Sequence, residues 1–131
     1  MDELRRAAGC AYAPYSGFRV GAVIEDEKGV LHAGCNVECA SIGLSLCAER
    51  AALGRAIAQG VTQFRRLWIY TPTPAPTRPC GACREMLSRL APGIAVFLLC
   101  DGPVVERAAL SRLLPVPRAQ RKRAAAEREG R

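Results

Sequence analysis

Four prolines within eight residues, Pro72, Pro74, Pro76 and Pro79, constrain the fold of this chain more than any other feature. Each removes a backbone donor and fixes φ, so this stretch is loop and divides the chain. Before it, Arg66 to Thr71 reads as a strand; behind it, Cys80 to Leu90 reads as a helix that starts directly after Pro79. Towards the N-terminus, Asp2 to Ala8 is a short helix closed by Gly9, and Tyr12 to Gly17 is a loop punctuated by Pro14 and Gly17. Phe18 to Ile24 and Val30 to Val37 are two strands joined by the charged turn Glu25 to Gly29. Leu46 to Gln59 is rich in good helix formers and ends at Gly60. Ile94 to Leu99 and Val104 to Glu106 flank the turn signal Asp101-Gly102, and a last helix from Ala108 to Leu113 stops before Pro115. Strands alternating with helices predict an α/β sandwich around one sheet.

At 131 residues, half of them hydrophobic, the chain suffices for one domain with a single core. The predicted domain covers residues 1–115. Residues 116–131 form a basic tail, in which Arg118, Arg121, Lys122, Arg123, Arg128 and Arg131 against Glu127 and Glu129 give +4 of the formal net charge of +7. That concentration argues against a nucleic-acid-binding face spread over the domain. The longest apolar run, Gly93 to Cys100, is far shorter than the roughly 20 residues that cross a bilayer, and Asp2-Glu3 opens the chain where a secretory leader would be basic. Seven cysteines, an odd and scattered set, fit reduced thiols in the cytoplasm better than a disulfide scaffold.

Three of those cysteines have the pattern of metal ligands, although a lone Cys-x-x-Cys is also the pattern of a redox pair or half of a structural zinc site, and buried thiols are the plain alternative. Zinc takes thiolate and imidazole ligands in a tetrahedral shell, and a catalytic site supplies three while leaving the fourth position to water. Cys80-Gly81-Ala82-Cys83 places two thiols one helical turn apart at a helix N-terminus, where free N–H groups and the helix dipole favour thiolate. Cys47, near the start of the preceding helix, supplies a third in the same way. A closed structural site would need a fourth ligand, for which His32 and Cys35 are the candidates, although His32 is expected on the surface near the hairpin. In Cys47-Ala48-Glu49 a carboxylate lies two residues from a ligand, beside the metal without being forced to bind it. The alternative for Glu49 is an ordinary exposed helix residue.

Cys47-Ala48-Glu49-Arg50 followed by Pro79-Cys80-Gly81-Ala82-Cys83 resembles the His/Cys-x-Glu and Pro-Cys-x-x-Cys signature of zinc deaminases, in its all-cysteine form. Tyr12-Ala13-Pro14-Tyr15-Ser16, Phe18-Arg19-Val20-Gly21-Ala22 and Gly34-Cys35-Asn36-Val37-Glu38 stand in the order shown by the small homotetrameric cytidine deaminases. The resemblance spans about Leu4 to Pro115. It implies a three-layer α-β-α sandwich with one mixed sheet, one Zn²⁺ per chain on Cys47, Cys80 and Cys83, and a homotetramer, with a dimer as the other option. The implied reaction is the hydrolytic deamination of cytidine and deoxycytidine to uridine and deoxyuridine with release of ammonia, a step of pyrimidine salvage. Zinc lowers the pKa of water, and Glu49 takes its proton as the oxygen attacks C4 and passes protons to the ring nitrogen and the leaving amine. The resemblance further implies that Asn36 and Glu38 meet the ribose, that Phe18 packs near the pyrimidine, that the Ala48 N–H contacts the pyrimidine carbonyl, that the Pro79 carbonyl lies near the leaving amine, and that Arg50 donates to the ligand thiolates.

For Asn36 and Glu38 the competing reading is a strand-end cap. Tyr12 and Tyr15 are expected to be packing residues in a loop, Trp68 a core residue, and Cys10, Cys39 and Cys100 small buried hydrophobes. Cys39 and Ile42 stand where the family has Asn and Tyr, and Leu113-Leu114-Pro115 is not followed by the family's aromatic. These departures keep open a modified cytosine nucleoside or a cytosine-containing antibiotic as substrate. The basic tail keeps open an RNA-binding or editing deaminase, and a non-catalytic zinc module would leave Glu49 unexplained.

Overall fold

The computed structural model describes residues 1–114. Its elements are α1 (Asp2–Gly9), β1 (Gly21–Asp26), β2 (Leu31–Cys35), a 3₁₀ turn (Ile42–Leu44), α2 (Ala48–Ala58), β3 (Phe64–Thr71), α3 (Gly81–Leu90), β4 (Ala95–Cys100), β5 (Glu106–Ala109) and α4 (Leu110–Leu113). One five-stranded sheet has the order β2-β1-β3-β4-β5. It is mixed: β1 runs antiparallel to β2 and β3, β4 is parallel to β3, and β5 is antiparallel to β4.

Alternation along the strands sends Ala22, Ile24, Leu67, Ile69, Val96 and Leu98 to one face, where α2, α3 and α4 cover them with Ala52, Leu53, Leu87, Leu110 and Leu113. Each wholly buried leucine or isoleucine there contributes roughly 1.5–3 kcal/mol relative to exposure. The opposite face takes Val23 and Tyr70 and is covered by Leu4 and Ala8 of α1, which makes the third layer. Two glycines let the helices come this close. A Cβ on Gly21 would lie 2.3 Å from the Leu4 carbonyl oxygen of α1, and one on Gly34 would lie 2.3 Å from the Ala52 nitrogen of α2. On α2 the facing residues Ala48, Ala52 and Ala56 are all fully buried, so the helix presents its smallest side chains at the contact.

Several sequence expectations need correction. The first strand begins at Gly21 rather than Phe18: the Asn36 side chain takes the Val20 N–H and the Phe18 carbonyl, and among the described residues the only backbone bond to this segment from the chain after β2 runs from the Asn36 N–H to the Val20 carbonyl. The last strand and helix shift towards the C-terminus, since Ala108 and Ala109 pair with Val96 and Ala95 in the sheet. His32 is buried, not on the surface: its Nδ1 lies 2.7 Å from Gln59 Oε1 and its Nε2 3.2 Å from Asp26 Oδ2. Burial by itself raises the Asp26 carboxyl, but backbone donors from Val30 and Lys28 together with His32 outweigh it and hold the group below its ordinary pKa. Cys10 is exposed and Cys39 half-buried, whereas Cys100 is buried as expected. Trp68 is only half-buried, stacking on Phe97 at 5.8 Å on the face that α1 leaves partly open. The basic tail, 116–131, lies outside the described residues.

The Gly34 contact yields a direct test. Gly34→Ala forces β2 and α2 apart and should cost about 1–3 kcal/mol, seen as a lowered denaturation midpoint. An unchanged midpoint would show that this interface is not rigidly packed.

Candidate metal centre and cleft

The topology determines where the chemistry gathers. Because β1 is antiparallel to both β2 and β3, those two strands point the same way and their C-terminal ends lie at one edge of the sheet. Each is followed by a helix on the same face, α2 after β2 and α3 after β3, so both helix N-termini return to that edge. Open α/β sheets bind ligands at the carboxyl ends of their strands for this reason.

Cys47 is the N-cap residue of α2 and Cys80 the N-cap residue of α3, both extended, with ψ of 152° and 166°. Their Sγ atoms are 3.7 Å apart. The Cys80 sulfur also accepts from the Cys83 backbone N–H at 3.5 Å, as a capping side chain does. Cys83, one turn into α3, is wholly buried, and all three sulfurs lie within 4.8 Å of one another. No fourth His, Cys, Asp or Glu joins them among the described residues. His32, one candidate for closing the shell, is committed to Asp26 and Gln59.

These residues fit a zinc ion. Tetrahedral Zn–S bonds of about 2.3 Å separate neighbouring sulfurs by about 3.8 Å, close to the Cys47–Cys80 spacing. Charge leads to the same conclusion. Burial raises the Cys83 thiol far above its ordinary pKa, and the nearby Glu49, Cys47 and Cys80 charges raise it further. Burial likewise raises Cys47, with Arg50 opposing. Cys80 ends below its ordinary value: burial would raise it, but donation from Cys83 and Cys47 outweighs that. A cluster whose members oppose each other's ionisation calls for a divalent cation, which would bring all three to thiolate at once.

Glu49 lies in the first turn of α2 and is 5% exposed, so it is not the surface residue of the alternative reading. Burial raises its carboxyl pKa, opposed by its own backbone N–H, by Cys83 and by the charge of Arg50. Arg50 donates through Nη2 to the Cys47 sulfur at 3.7 Å and to the Ser45 carbonyl at 3.0 Å, while its buried Nε has no hydrogen-bond partner among the described residues. Ala48, as the first residue of α2, has an amide with no acceptor inside the helix.

Beside the thiols lies a cleft of about 500 Å³ whose walls include Tyr15, Ser16, Asn36, Glu38, Cys39 and Cys47. Asn36 and Glu38 hold the loop above it. Asn36 accepts from the Val20 N–H and donates to the Phe18 carbonyl, both at 2.8 Å. Glu38 accepts from the Tyr15 and Ser16 amides at 3.0 and 3.1 Å and from the Ser16 hydroxyl, whose bond chiefly holds the carboxyl below its ordinary pKa. Tyr12 and Tyr15 are exposed rather than packed in the loop. Phe18 is not a wall of the cleft but is linked to it through Asn36. Two residues escaped the sequence reading. Ser45 accepts through its hydroxyl from the Cys39 amide at 2.9 Å and through its carbonyl from Arg50. Arg84 donates to the Pro79 carbonyl at 2.7 Å, and its place directly after Cys83 was the available signal.

The chain is similar to known proteins over most of its length. Residues 1–99 match the family model described as "Cytidine and deoxycytidylate deaminase zinc-binding region". A cytidine deaminase of Sporosarcina psychrophila is 37% identical over 116 residues, 88% of this chain and 85% of that protein. One from Mycobacterium tuberculosis is 41% identical over 110 residues, 84% of this chain and 80% of the other. The crystal structure of cytidine deaminase from Burkholderia pseudomallei superposes with a TM-score of 0.84 at 39% identity, covering 88% of this chain and 94% of that one. With its three clustered thiols at paired helix N-termini and this match over most of its length, the chain belongs to the cytidine and deoxycytidylate deaminase family.

Proposed function

We propose that this protein converts cytidine and deoxycytidine with water to uridine and deoxyuridine, releasing ammonia. The observation that carries this reading is the Glu49 carboxyl, 5% exposed and raised in pKa by burial, beside three thiols that fit one zinc ion. Zinc, when bound, supplies the polarisation that makes water nucleophilic near neutral pH. A carboxyl held above its usual range is suited to both accept and return a proton at such pH. Glu49 accepts the proton of the attacking water and delivers protons to the ring nitrogen and the departing amine. Arg50, through its contact with Cys47, offsets part of the negative charge of the thiolates.

The remaining assignments follow the family pattern onto matching residues. The free Ala48 amide meets the pyrimidine carbonyl, the Pro79 carbonyl lies beside the leaving amine, and Phe18 packs near the ring. Asn36 and Glu38 meet the sugar hydroxyls. Their bonds to the loop leave this open: a carboxylate offers about four acceptor positions and an amide four bonding positions, and neither side chain is saturated here. A modified cytosine nucleoside is the second reading, favoured by Cys39 and Ile42 among the residues lining the cleft.

The catalytic domain is residues 1–115, with the tail outside it. Assembly is as a homotetramer or dimer; Ile42 and Leu44, 86% and 74% exposed on the 3₁₀ turn beside the cleft, are apolar surface available to a second copy. No described helix is long and apolar enough to cross a membrane. Seven cysteines, odd in number and scattered, favour a reducing compartment, and the cytoplasm is the one assigned.

Metal analysis of the purified protein should give one zinc per chain, and Cys80→Ser or Cys83→Ser should lose it, because a neutral hydroxyl replaces thiolate poorly. No zinc, or two per chain, contradicts the site. Glu49→Gln should retain zinc while turnover falls by roughly 10²–10⁴-fold or more. The ultraviolet change of cytosine to uracil, followed with cytidine, deoxycytidine, sugar-modified cytidines, cytosine and short RNA, ranks the substrates, and near-full activity of Glu49→Gln would remove the proton shuttle. Deleting residues 118–131 should leave both the nucleoside rate and the number of copies per assembly unchanged; loss of activity or of assembly in a folded protein would bring the tail into the site or the interface.

A further inference from the structure

We propose that Arg84 is a positioning residue that sets the geometry of the metal loop and ties it to the end of the domain. This rests on the reading of Cys80 as a zinc ligand. One arginine donates to three carbonyls. Its Nε reaches the Pro79 oxygen at 2.7 Å, its backbone N–H the Cys80 oxygen at 3.0 Å, and its Nη1 the Leu113 oxygen at 3.1 Å.

The first contact constrains the torsion that matters. The Pro79 ring fixes φ of that residue but leaves ψ free, and ψ sets where its carbonyl points and how the chain enters Cys80. A charge-assisted bond at 2.7 Å pins that carbonyl. Cys80 then keeps the extended N-cap conformation from which its sulfur meets both the Cys83 amide and the Cys47 sulfur. If the same carbonyl lies beside the leaving amine, Arg84 also aims it, since a carbonyl oxygen has a second lone pair for the substrate.

The third contact supplies the anchor. Leu113 is the last residue of α4, a helix end whose carbonyls lack intrahelical partners, and Arg84 satisfies the Leu113 oxygen. Leu110 and Leu113 are packed in the main core, so the far end of the clamp is fixed. Only a planar guanidinium, with donors in a rigid fork, can hold the two side-chain contacts at once; a lysine amine reaches one or the other without their mutual geometry.

The test uses full-length, zinc-loaded wild type, Arg84→Lys and Arg84→Ala, reading zinc release to a chromophoric chelator and the visible thiolate bands of the cobalt-substituted proteins. Partners that orient metal ligands are typically worth 10–100-fold in metal affinity, so Arg84→Ala should release zinc about tenfold faster or more, with Arg84→Lys in between. The cobalt bands should shift in both variants. Wild-type bands together with wild-type release rates overturn the inference, as do wild-type bands in variants that have only become easier to unfold. Should Arg84→Ala not fold, Arg84→Lys decides by the same two readouts. If wild type itself binds no zinc, the metal reading fails; if wild type holds zinc and deaminates cytidine while the variants behave like it, the Arg84 inference alone fails.

Discussion

The meeting of two helix N-termini at one sheet edge is the constraint on which the rest depends. Because β2 and β3 point the same way across β1, the helices that follow them bring Cys47 and Cys80 to within 3.7 Å. Neither helix can be displaced without separating sulfurs, and α2 is held against β2 by the absence of a side chain at Gly34 facing the buried alanines of the helix. Packing and chemistry are therefore one requirement. A shift of α2 at the Gly34 contact would move the helix that carries Cys47 at its N-cap.

The same arrangement gathers more potential negative charge than one arginine can balance. Three thiols, of which Cys83 is buried, Cys47 half-buried and Cys80 exposed, crowd against the buried Glu49 carboxyl, with Arg50 in contact with Cys47. Helix dipoles and free amides help, and a divalent metal ion offsets most of the remainder. Metal binding requires Cys83 as thiolate, against the direction in which burial moves that thiol, so affinity is expected to fall as pH falls.

Around the cleft, polar side chains do structural duty as well. Asn36 and Glu38 bind the backbone from Tyr15 to Val20 and so shape the wall that a substrate meets. Both readings of these residues, cap and ligand contact, thus describe compatible roles, since each has bonding capacity left. Arg84 and Ser45 act one layer further out, on the carbonyls and amides of the loops that carry the reactive groups.

Much of this was legible in the residues alone. Alternation of strands and helices, the proline-rich break and the spacing of Cys47, Glu49, Cys80 and Cys83 define an α/β chain with a thiol set of zinc-binding type, because propensity, turn chemistry and ligand preference are local properties. Long-range pairing was not local and was not legible. Ala108 and Ala109 extend a strand because Val96 and Ala95 lie opposite them, and His32 is buried because Asp26 and Gln59 come to it from β1 and the end of α2. The start of β1 moved to Gly21 because a side chain sixteen residues away took the hydrogen bond of Val20. The sequence by itself determined which groups were available for chemistry; only the tertiary structure decided which of them meet, because sheet order and helix approach arise from packing between segments far apart in the chain.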